Sequence, residues 1–491
     1  FQILRLNKKK VASIGTLGIK THNYIKKISN TTIDPIALSI ILNKLKKERI
    51  NNVILEASSH GLKQNRLDGL KFNTGIFTNL SHDHLDYHKT FSDYFKSKLY
   101  LFKKLLKKKA NIITDIEIPQ YKKIKEIALK NQFNIETIIN NNSNLEIIFH
   151  EYHNEKQKVK IRYNKNVYKF ETKLIGKIQI KNILMAMIAA TKSSLSFKKI
   201  IDTIDDLKPI SGRLEQIGII KNNSKVILDY AHTPDALETS LKSLRDQFKN
   251  REISIVFGCG GDRDKEKRPM MGKIANLYCN RIYLTDDNPR YENPKTIRSS
   301  IRKNINKSKI YEISNRANAI NKAILDLKTG DILIVAGKGH EKIQEYKKVK
   351  KLFSDKQQIL KTIKIKNKTL SNSFKLNILK ELSNSTNISS KLKINSASIN
   401  SKEIKKDNIF FAIKGKNNDG NLFVKEAFAK GASLAIVNSQ KKSKKIIVVK
   451  DTLKFLTDAS SVLRDNLSSK IISITGSCGK TSLKELTGRS L

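Results

Sequence analysis

The sequence predicts an α/β protein with mostly parallel sheets, and two observations support this prediction. Short runs of β-branched residues alternate with helical stretches over residues 1–208, and the same alternation returns over 211–365. Such alternation is typical of strand–helix–strand units, which build parallel sheets. The chain has 491 residues, of which 39% are hydrophobic. That length is sufficient for roughly three domains, each with its own core.

The strands of the two α/β segments follow from their apolar runs. In the first segment we predict strands at Val11–Ile14, Val53–Leu55 and Gly75–Thr78. In the second we predict strands at Val226–Leu228, Ile253–Phe257, Ile282–Leu284 and Ile332–Val335. A pattern with one apolar face predicts an amphipathic helix over Phe91–Leu99.

The remainder of the chain is organised differently. Residues 366–374 are rich in Lys, Asn and Ser without a clear period, which predicts a linker. Residues 375–468 give mixed strand and helix signals and predict a compact segment. Residues 469–491 begin a further domain, with an apolar strand at Ile471–Thr475.

The charge of the chain favours anionic partners. There are 95 Lys and Arg residues against 45 Asp and Glu, a formal net charge of +50. That excess alone predicts a nucleic-acid-binding protein whose affinity falls steeply with salt. However, the lysines are spread over the whole length, and their clusters lack the interleaved aromatic residues of nucleic-acid sites. We therefore expect anionic small molecules as partners and no nucleic acid.

Cysteine usage and hydropathy indicate a compartment. Cys259, Cys279 and Cys478 lie far apart and show no metal-ligand or disulfide spacing, which fits a reducing cytoplasm. No apolar run approaches the length of about 18 residues that a membrane helix needs. We therefore expect a cytoplasmic protein without membrane insertion.

Polar clusters directly follow five of the predicted strands. The clusters are Glu56–His60, Asn79–His84, Asp229–His232, Gly258–Asp264 and Gly337–Glu341. Ligands of open parallel sheets bind just beyond the carboxyl ends of the strands. The sequence therefore predicts one active site assembled from two domains.

Two of these clusters are candidates for a magnesium site. Glu56 and the loop His82–His84 end successive strands, and a carboxylate with imidazoles suits Mg²⁺ held beside phosphates by few protein ligands. Zinc fits less well because no cysteine lies nearby in the sequence. Taken singly, each residue could equally be an exposed surface group. Nothing in the residue types separates Lys98 from Lys96 on the Phe91–Leu99 helix.

The segment Asp287-Asn288-Pro289-Arg290 has two interpretations. Asn-Pro favours an ordinary turn. Alternatively, the loop presents a carboxylate, an amide and a guanidinium to a zwitterion, with the arginine clamping a carboxylate in two-pronged fashion. Arg263 and Glu341, also at strand ends, would add a second cation and an acceptor for an amine.

A glycine-rich loop follows the apolar Ile471–Thr475 segment. Its sequence is Gly476-Ser477-Cys478-Gly479-Lys480-Thr481-Ser482. Backbone N–H groups and a lysine there suit a phosphate, and the hydroxyl suits Mg²⁺. A P-loop kinase or GTPase is an alternative, although it needs base-recognition motifs further along the chain.

Together these residues resemble the Mur ligases, a family of ATP-dependent amide-forming enzymes of peptidoglycan synthesis. Residues 1–365 are similar to the central and C-terminal domains of diaminopimelate-adding members, through Glu56–Leu62, Asn79–His88, Asp229–Asp235 and Gly337–Glu341. Residues from 375 resemble the N-terminal domain of D-alanyl-D-alanine-adding members, through Asp407–Gly415, Asp419-Gly420 and the phosphate loop.

The resemblance implies a domain organisation. Residues 1–208 would be a central domain with a P-loop-type parallel sheet, and 211–365 a Rossmann-like domain that binds the amino acid. After the 366–374 linker, 375–468 would be the small α/β domain of a second ligase. Residues 469–491 would begin that ligase's central domain.

The resemblance also implies roles for individual residues. Glu56 and His84 would hold magnesium as catalytic residues, joined by Lys98 in carbamylated form, and Thr481 would do so in the second ligase. Contacts to the UDP-muramoyl-dipeptide would come from Thr31, Thr32, Ser58, Gln64 and Arg66. ATP would contact Asn182, Arg213 and Asp229, and the loop Gly476–Ser482 in the second ligase. The incoming amino acid would contact Arg263, Asp287, Asn288, Pro289, Arg290, Gly337 and Glu341.

The implied reaction joins an amine to a carboxylate. The carboxylate of UDP-N-acetylmuramoyl-L-alanyl-D-glutamate attacks the γ-phosphate of ATP, and the amine of meso-diaminopimelate then attacks the resulting acyl phosphate. The Asp-Asn-Pro-Arg sequence is the variant associated with meso-diaminopimelate, and a lysine-adding variant is the alternative. The second ligase would take D-alanyl-D-alanine.

The resemblance carries departures from the family pattern. The first ligase's own phosphate loop would lie before Phe1, so we expect parts of two ligases and a catalytically incomplete fragment. A non-catalytic remnant is the further alternative. Gln179 stands where the family usually has asparagine, and Asn400 and Lys402 replace the usual Asp and Arg.

Overall fold

The computed structural model describes residues 1–484 except 82, 154, 390–391, 416–417, 441–442, 466–471, 477–479 and 481–482. The chain divides into two compact units, Phe1–Lys364 and Ile365–Leu491. None of the helices in these described stretches is both long and apolar enough to cross a membrane.

The first lobe of the first unit contains two mixed sheets with helices packed against them. Its strands are β1 Val11–Gly15, β2 Gly18–Lys20, β3 Ile25–Lys26, β4 Asn52–Leu55, β5 Phe72–Phe77, β6 Leu106–Asp115, β7 Asn134–Ile139, β8 Leu145–His153, β9 Lys156–Tyr163 and β10 Asn166–Thr172. Its helices are α1 Gln2–Leu6, α2 Pro35–Lys47, α3 Ser59–Lys63, α4 Leu85–His88, α5 Phe91–Tyr100, α6 Tyr121–Lys130, α7 Lys177–Thr191 and α8 Phe197–Ile201. Side-chain oxygens of Asp34, Ser58 and Thr90 accept backbone N–H bonds at the starts of α2, α3 and α5.

The strand orders of this lobe are β3-β2-β1-β4 and β10-β9-β8-β7-β6-β5. β1 pairs with β4 in parallel, and β5 to β8 form a parallel run. β8, β9 and β10 are antiparallel hairpins at the far edge. The clusters that follow β4 and β5 therefore lie at the carboxyl ends of parallel strands.

The second lobe of the first unit is built on one nearly parallel sheet. The strands of this sheet are β11 Glu215–Gln216, β12 Lys225–Leu228, β13 Ile253–Phe257, β14 Arg281–Leu284, β15 Ile310–Glu312 and β16 Ile332–Val335. A separate antiparallel pair is formed by β17 Ile343–Tyr346 and β18 Val349–Leu352. The helices of this lobe are α9 Pro234–Gln247, α10 Lys267–Tyr278, α11 Pro294–Arg302 and α12 Arg316–Leu325. The order is β11-β12-β16-β13-β14-β15, with only β11 antiparallel. Every residue of β13 and β16 is buried, as expected for strands covered on both faces.

The second unit contains a small parallel sheet. Its elements are α13 Asp355–Ser383, which begins in the first unit, β19 Ser396–Ser398, β20 Asn408–Phe411, α14 Val424–Ala429, β21 Ala432–Val437, β22 Ile446–Val448 and α15 Thr452–Asp465. The strand order is β19-β20-β21-β22, all parallel. Apolar side chains of both sheet faces are buried, and Leu376 and Phe455 pack in one of these cores.

The strands predicted within residues 1–365 and the amphipathic helix are confirmed to within a few residues at their ends. Three expectations are corrected. Residues 366–374 are helical within α13, because the segment has no Gly or Pro to stop a helix and lysine is a good helix former. Residues 472–475 are not assigned to a strand, since no described strand pairs with them; Ile471 lies outside the described residues. The first lobe also has two mixed sheets where one mostly parallel sheet was expected.

Candidate active site

A cleft of about 290 Å³ lies between the two lobes of the first unit. Loops that follow β4, β5, β12, β13 and β16 contribute to its walls, so the predicted convergence of the five polar clusters is confirmed. Its polar and aromatic lining includes His60, Asp83, His84, Tyr230, His232, Arg263, Asp264, Lys267, Asp287, Asn288, Arg290 and Glu341.

The Asp287–Arg290 loop follows β14 and is held by backbone contacts. The Gly261 N–H donates to the Asn288 carbonyl over 2.9 Å, and Nη1 of Arg290 donates to the Gly261 carbonyl over 2.7 Å. Nε of Arg290 lies 3.5 Å from a Glu345 carboxylate oxygen. The loop is therefore a fixed structure that carries a carboxylate, an amide and a guanidinium at the cleft.

Two buried cations lie behind this loop, and sequence reasoning missed both. Lys338, between two glycines, is 0% exposed, and its Nζ donates to Asn288 Oδ1 over 3.0 Å. Arg316 is 1% exposed, and its Nη1 lies 3.9 Å from Asp287 Oδ2. The chain has 95 lysines and arginines, so one-dimensional patterns could not select these two.

The residues expected at the UDP-substrate form a connected network in the first lobe. The Thr32 hydroxyl lies 2.9 Å from the Ser58 hydroxyl, and Arg66 Nη1 donates to the Thr32 carbonyl over 2.7 Å. Thr31 contacts the hydroxyl of Thr16 at 3.0 Å. Gln64 donates instead to the Tyr87 hydroxyl, over 2.9 Å.

Asp83 lies between histidines from the two lobes. Its Oδ2 atom is 3.6 Å from Nε2 of His84 and 3.8 Å from Nε2 of His232. His60 stacks on Tyr87 with ring centroids 4.0 Å apart and meets His84 edge-on at 4.9 Å. Imidazoles and a carboxylate therefore form the first-lobe wall of the cleft.

Glu56 is held within its own lobe. Its Oε2 accepts hydrogen bonds from the backbone N–H and the hydroxyl of Thr16, over 2.8 and 2.7 Å. Among the described residues, no three His, Cys, Asp or Glu side chains are placed to hold a metal ion together. The magnesium site expected at Glu56 and His84 therefore stays a prediction, and His82 lies outside the described residues.

The structure separates Lys98 from Lys96. Lys96 is exposed and lies 3.9 Å from Asp93. Lys98 is partly buried, with Nζ 5.0 Å from the centroid of the Tyr94 ring. Burial lowers the pKa of the Lys98 amine, and the charge of Asp83 opposes that shift.

The residues that were expected to contact ATP lie in different surroundings. Asp229 is buried, and its carboxylate accepts from Ser240 over 2.6 Å and from the Leu214 N–H over 3.1 Å. Burial raises the pKa of Asp229 despite these bonds. Arg213 lies over the Tyr230 ring at 4.4 Å. Asn182 is exposed on α7, with its amide 3.3 Å from Gln179.

Little of the C-terminal loop is described. Lys480 is helical, and its Nζ donates to the Gly476 carbonyl. The other predicted members of this phosphate loop lie outside the described residues. They are Ser477, Cys478, Gly479, Thr481 and Ser482.

Comparison with known families gives three matches along the chain. The Mur ligase middle domain matches residues 2–190, and the Mur ligase glutamate ligase domain matches residues 212–339. A third match, described as the Mur ligase family catalytic domain, covers residues 393–462.

Two curated relatives share one name. The UDP-N-acetylmuramoyl-L-alanyl-D-glutamate–2,6-diaminopimelate ligase of Rickettsia rickettsii is 38% identical over 362 residues, which are 73% of this chain and 74% of that protein. The enzyme of the same name from Rhizobium meliloti (strain 1021) is 39% identical over 352 residues, which are 72% of each chain.

Solved structures agree with these relatives. A structure of UDP-N-acetylmuramoyl-L-alanyl-D-glutamate–2,6-diaminopimelate ligase is 31% identical with a TM-score of 0.54, and the match covers 74% of each chain. The MurF ligase of Thermotoga maritima in complex with ADP has a TM-score of 0.54 at 15% identity, over 75% of this chain and 77% of that one. The second likeness is one of fold alone.

Proposed function

The chain belongs to the Mur ligase family, and we propose that residues 1–365 serve to add meso-diaminopimelate to UDP-N-acetylmuramoyl-L-alanyl-D-glutamate. Mur ligases are ATP-dependent ligases of peptidoglycan synthesis. The choice of amino acid is our inference from the cleft, and the names of the relatives support it.

The observation that carries the proposal is the set of charges around the Asp287–Arg290 loop. Arg290 and Arg263 bring guanidinium groups to the cleft, where they would hold carboxylates of the amino acid. Asp287 and Glu341 bring carboxylates to the same cleft, where they would accept its ammonium hydrogens. Diaminopimelate has two amines and two carboxylates, so it can use both kinds of group.

The lobe arrangement supports catalysis by positioning. The second-lobe residues would hold the far end of the amino acid so that its reacting amine faces Asp83 and His84 across the cleft. Fixing the amine beside an acyl phosphate makes amide formation effectively unimolecular. The Thr32, Ser58 and Arg66 network of the first lobe would bind the UDP-linked dipeptide.

Magnesium would be held by Glu56, His84 and carbamylated Lys98, and it would neutralise charge on the phosphates of ATP. Lys98 fits this role because its amine is partly buried and its pKa is lowered. A neutral amine can add to the carbon of carbon dioxide and release one N–H proton to solvent, which leaves an anionic carbamate as an oxygen ligand. We propose Arg213, Asp229 and Asn182 as ATP-site residues, with Asp229 fixing the Leu214 backbone next to Arg213.

We further propose that residues from 375 belong to a second, D-alanyl-D-alanine-adding ligase. The family match at 393–462, after two Mur ligase matches in the first unit, supports this. A small parallel sheet of its own also supports it. On this proposal Lys480 and Thr481 belong to the second ligase, and the chain is part of one multifunctional cytoplasmic protein.

The test measures amino-acid binding to the full chain by calorimetry, with UDP-N-acetylmuramoyl-L-alanyl-D-glutamate and a non-hydrolysable ATP analogue present. We expect meso-diaminopimelate to bind at least about tenfold more tightly than L-lysine, because the Arg–carboxylate contacts to its second carboxylate are each stabilising by about 1.4 kcal/mol or more. Mass spectrometry of the amide product with ATP tests turnover separately.

Arg290→Ala and Arg263→Ala are the matched variants. Each should weaken diaminopimelate binding while leaving affinity for the ATP analogue unchanged. Equal loss of both affinities would contradict the assignment of these arginines. Tighter binding of lysine would favour the lysine-adding alternative, and binding of neither amino acid would reject the proposed function.

A further inference from the structure

We propose that Lys338 is a positioning residue of the amino-acid site: its buried ammonium orients the Asn288 amide and the Glu341 carboxylate toward the cleft. This inference rests on the proposed function, because Asn288 and Glu341 are taken to contact the amino acid. Lys338 itself does not line the cleft, as far as the described residues show.

The ammonium of Lys338 has an acceptor for each of its three hydrogens. Nζ donates to Asn288 Oδ1 over 3.0 Å, to Glu341 Oε2 over 3.1 Å and to the Ile343 carbonyl over 2.7 Å. The side chain is 0% exposed. Because the ammonium donates one hydrogen to each of three oxygens, it fixes the orientation of the groups that carry them.

The contact determines which way the Asn288 amide faces. Oδ1 of Asn288 accepts from Lys338 and also from the Glu345 N–H, both over 3.0 Å. Rotating the amide by half a turn would place its NH₂ group against these two donors. The amide nitrogen is therefore directed to Glu341, which it meets over 3.2 Å.

The same contact fixes Glu341. Its Oε2 accepts from both Lys338 and Asn288, and its Oε1 lies 3.4 Å from the Tyr230 hydroxyl. Glu341 is partly exposed, with 35% of its side chain accessible, whereas Lys338 is fully enclosed. The Glu341 carboxylate is thus exposed to the cleft, and the enclosed Lys338 ammonium binds its Oε2 atom from the protein interior.

A role in packing alone does not explain an ammonium at this point. Burying a charge is costly unless every donor is paired, and an apolar side chain of similar volume would fill the same space without that cost. Gly337 and Gly339, with φ of +109° and +50°, turn the chain on either side of Lys338. The local chain therefore accepts an uncommon conformation around a lysine whose donors all meet the amino-acid loop or its neighbours.

The experiment compares Lys338→Met, which keeps the volume and loses the ammonium, with Lys338→Gln, which keeps a single polar group. Binding of meso-diaminopimelate is measured by calorimetry on the full chain with both other ligands present. We expect each variant to weaken binding by about tenfold to a hundredfold, the range for losing a hydrogen bond to a charged group. Affinity for the ATP analogue should stay within about twofold of the wild type.

Arg281→Met is the matched control. Arg281 also forms a partly buried ion pair, with Asp331 at 2.5 Å, but it begins β14 at the end of the sheet away from the cleft. The Arg281→Met substitution should lower the stability of the protein without changing its affinity for diaminopimelate. Equal effects of Arg281→Met and Lys338→Met on that affinity would assign Lys338 a purely structural role and overturn the inference.

A double-mutant cycle tests whether Lys338 acts through its two partners. In an Asn288→Ala, Glu341→Gln background, Lys338→Met should have little further effect on diaminopimelate affinity, because the groups that it orients are gone. Full additivity would overturn the inference.

If the Lys338 variants do not fold, the carboxamide signal of Asn288 in ¹⁵N-asparagine-labelled wild type tests the orientation of this amide. A freely rotating amide there would reject the orientation argument, and slow hydrogen exchange would support it.

These outcomes separate the inference from the proposed function. Loss of binding in Arg290→Ala with no loss in Lys338→Met would reject only the role of Lys338. If the wild type binds no diaminopimelate, both the proposed function and the role of Lys338 are rejected.

Discussion

The side chains of Arg316 and Asp355 form a two-pronged ion pair, with Nε to Oδ1 at 2.8 Å and Nη2 to Oδ2 at 2.7 Å. Both side chains are fully enclosed. Arg316 begins α12 and Asp355 begins α13, and Nη2 also donates to the Ala336 carbonyl after β16 over 2.8 Å. The pair therefore ties two helix starts to the strand end that leads into the cleft.

Asp355→Ala should strongly destabilise the first unit. The substitution removes the two-pronged partner of a buried guanidinium and leaves it only the more distant carboxylate of Asp287, 3.9 Å from Nη1. Breaking a buried ion pair typically lowers the free energy of unfolding by about 3–5 kcal/mol. Urea unfolding of the full chain measures the effect. Lys123→Ala, which removes an exposed pair with Glu126, is the control and should change stability by no more than about 1 kcal/mol. Similar losses in both variants would show that burial does not strengthen the Arg316–Asp355 pair.

We expect the first unit to lose stability as the solution becomes weakly acidic, because the buried His88 ring resists protonation in the folded state. Burial, followed by the charges of His60, Lys63, His84 and Lys98, lowers its pKa from 6.5 to about 4. Between these values the unfolded chain binds the proton and the folded chain does not, so stability is lost as pH falls from 6.5 toward 4.

His88→Gln tests this directly, because glutamine stays neutral. The ring of His88 is 0% exposed, and Nε2 lies 2.9 Å from the Ser59 hydroxyl, a contact that glutamine can partly replace. The urea midpoint of this variant should fall less than that of the wild type between pH 6.5 and 4. Parallel pH profiles for the two proteins would refute the role of His88.

Lys98 should react with carbon dioxide in preference to Lys96. Burial lowers the pKa of Lys98, so a larger fraction of its amine is neutral and nucleophilic at a given pH than for an exposed lysine. The ¹³C spectrum of the protein in labelled bicarbonate near pH 8 should show a carbamate signal. Lys98→Ala should abolish it and Lys96→Ala should not; the reverse pattern would contradict the assignment.

The cleft could be predicted from the sequence because each polar cluster lies directly after the apolar strand that positions it. Glu56–His60 and Gly337–Glu341 each follow an apolar strand, and parallel strands bring their carboxyl ends to one edge. Strands such as Ile253–Phe257 were placed correctly because fully buried strands read as continuous apolar runs.

The features that were missed depend on the third dimension. Lys338 and Arg316 are buried only because distant segments enclose them, and Lys98 differs from Lys96 only in what covers it. Asp229 follows a strand like the other cluster residues, yet its carboxylate is enclosed by Ser240 and the Leu214 backbone. The polar composition of residues 366–374 hides their helical structure, because lysine is polar and is also a good helix former.

Gly337→Ala should impair both stability and amino-acid binding. Gly337 has φ of +109°, and a Cβ atom there would lie 2.7 Å from Asp287 Oδ2. The substitution therefore adds backbone strain and also displaces the carboxylate at the start of the Asp287–Arg290 loop.

Gly330→Ala separates these two effects. Gly330 also has a positive φ, +80°, but a Cβ atom there meets nothing within 4 Å. It should cost roughly 1–2 kcal/mol of stability from backbone strain and leave diaminopimelate affinity unchanged. Calorimetry and urea unfolding of both variants measure the difference. If Gly337→Ala binds the amino acid as well as Gly330→Ala does, displacing the Asp287 carboxylate does not impair binding, and the position of Asp287 does not control the site.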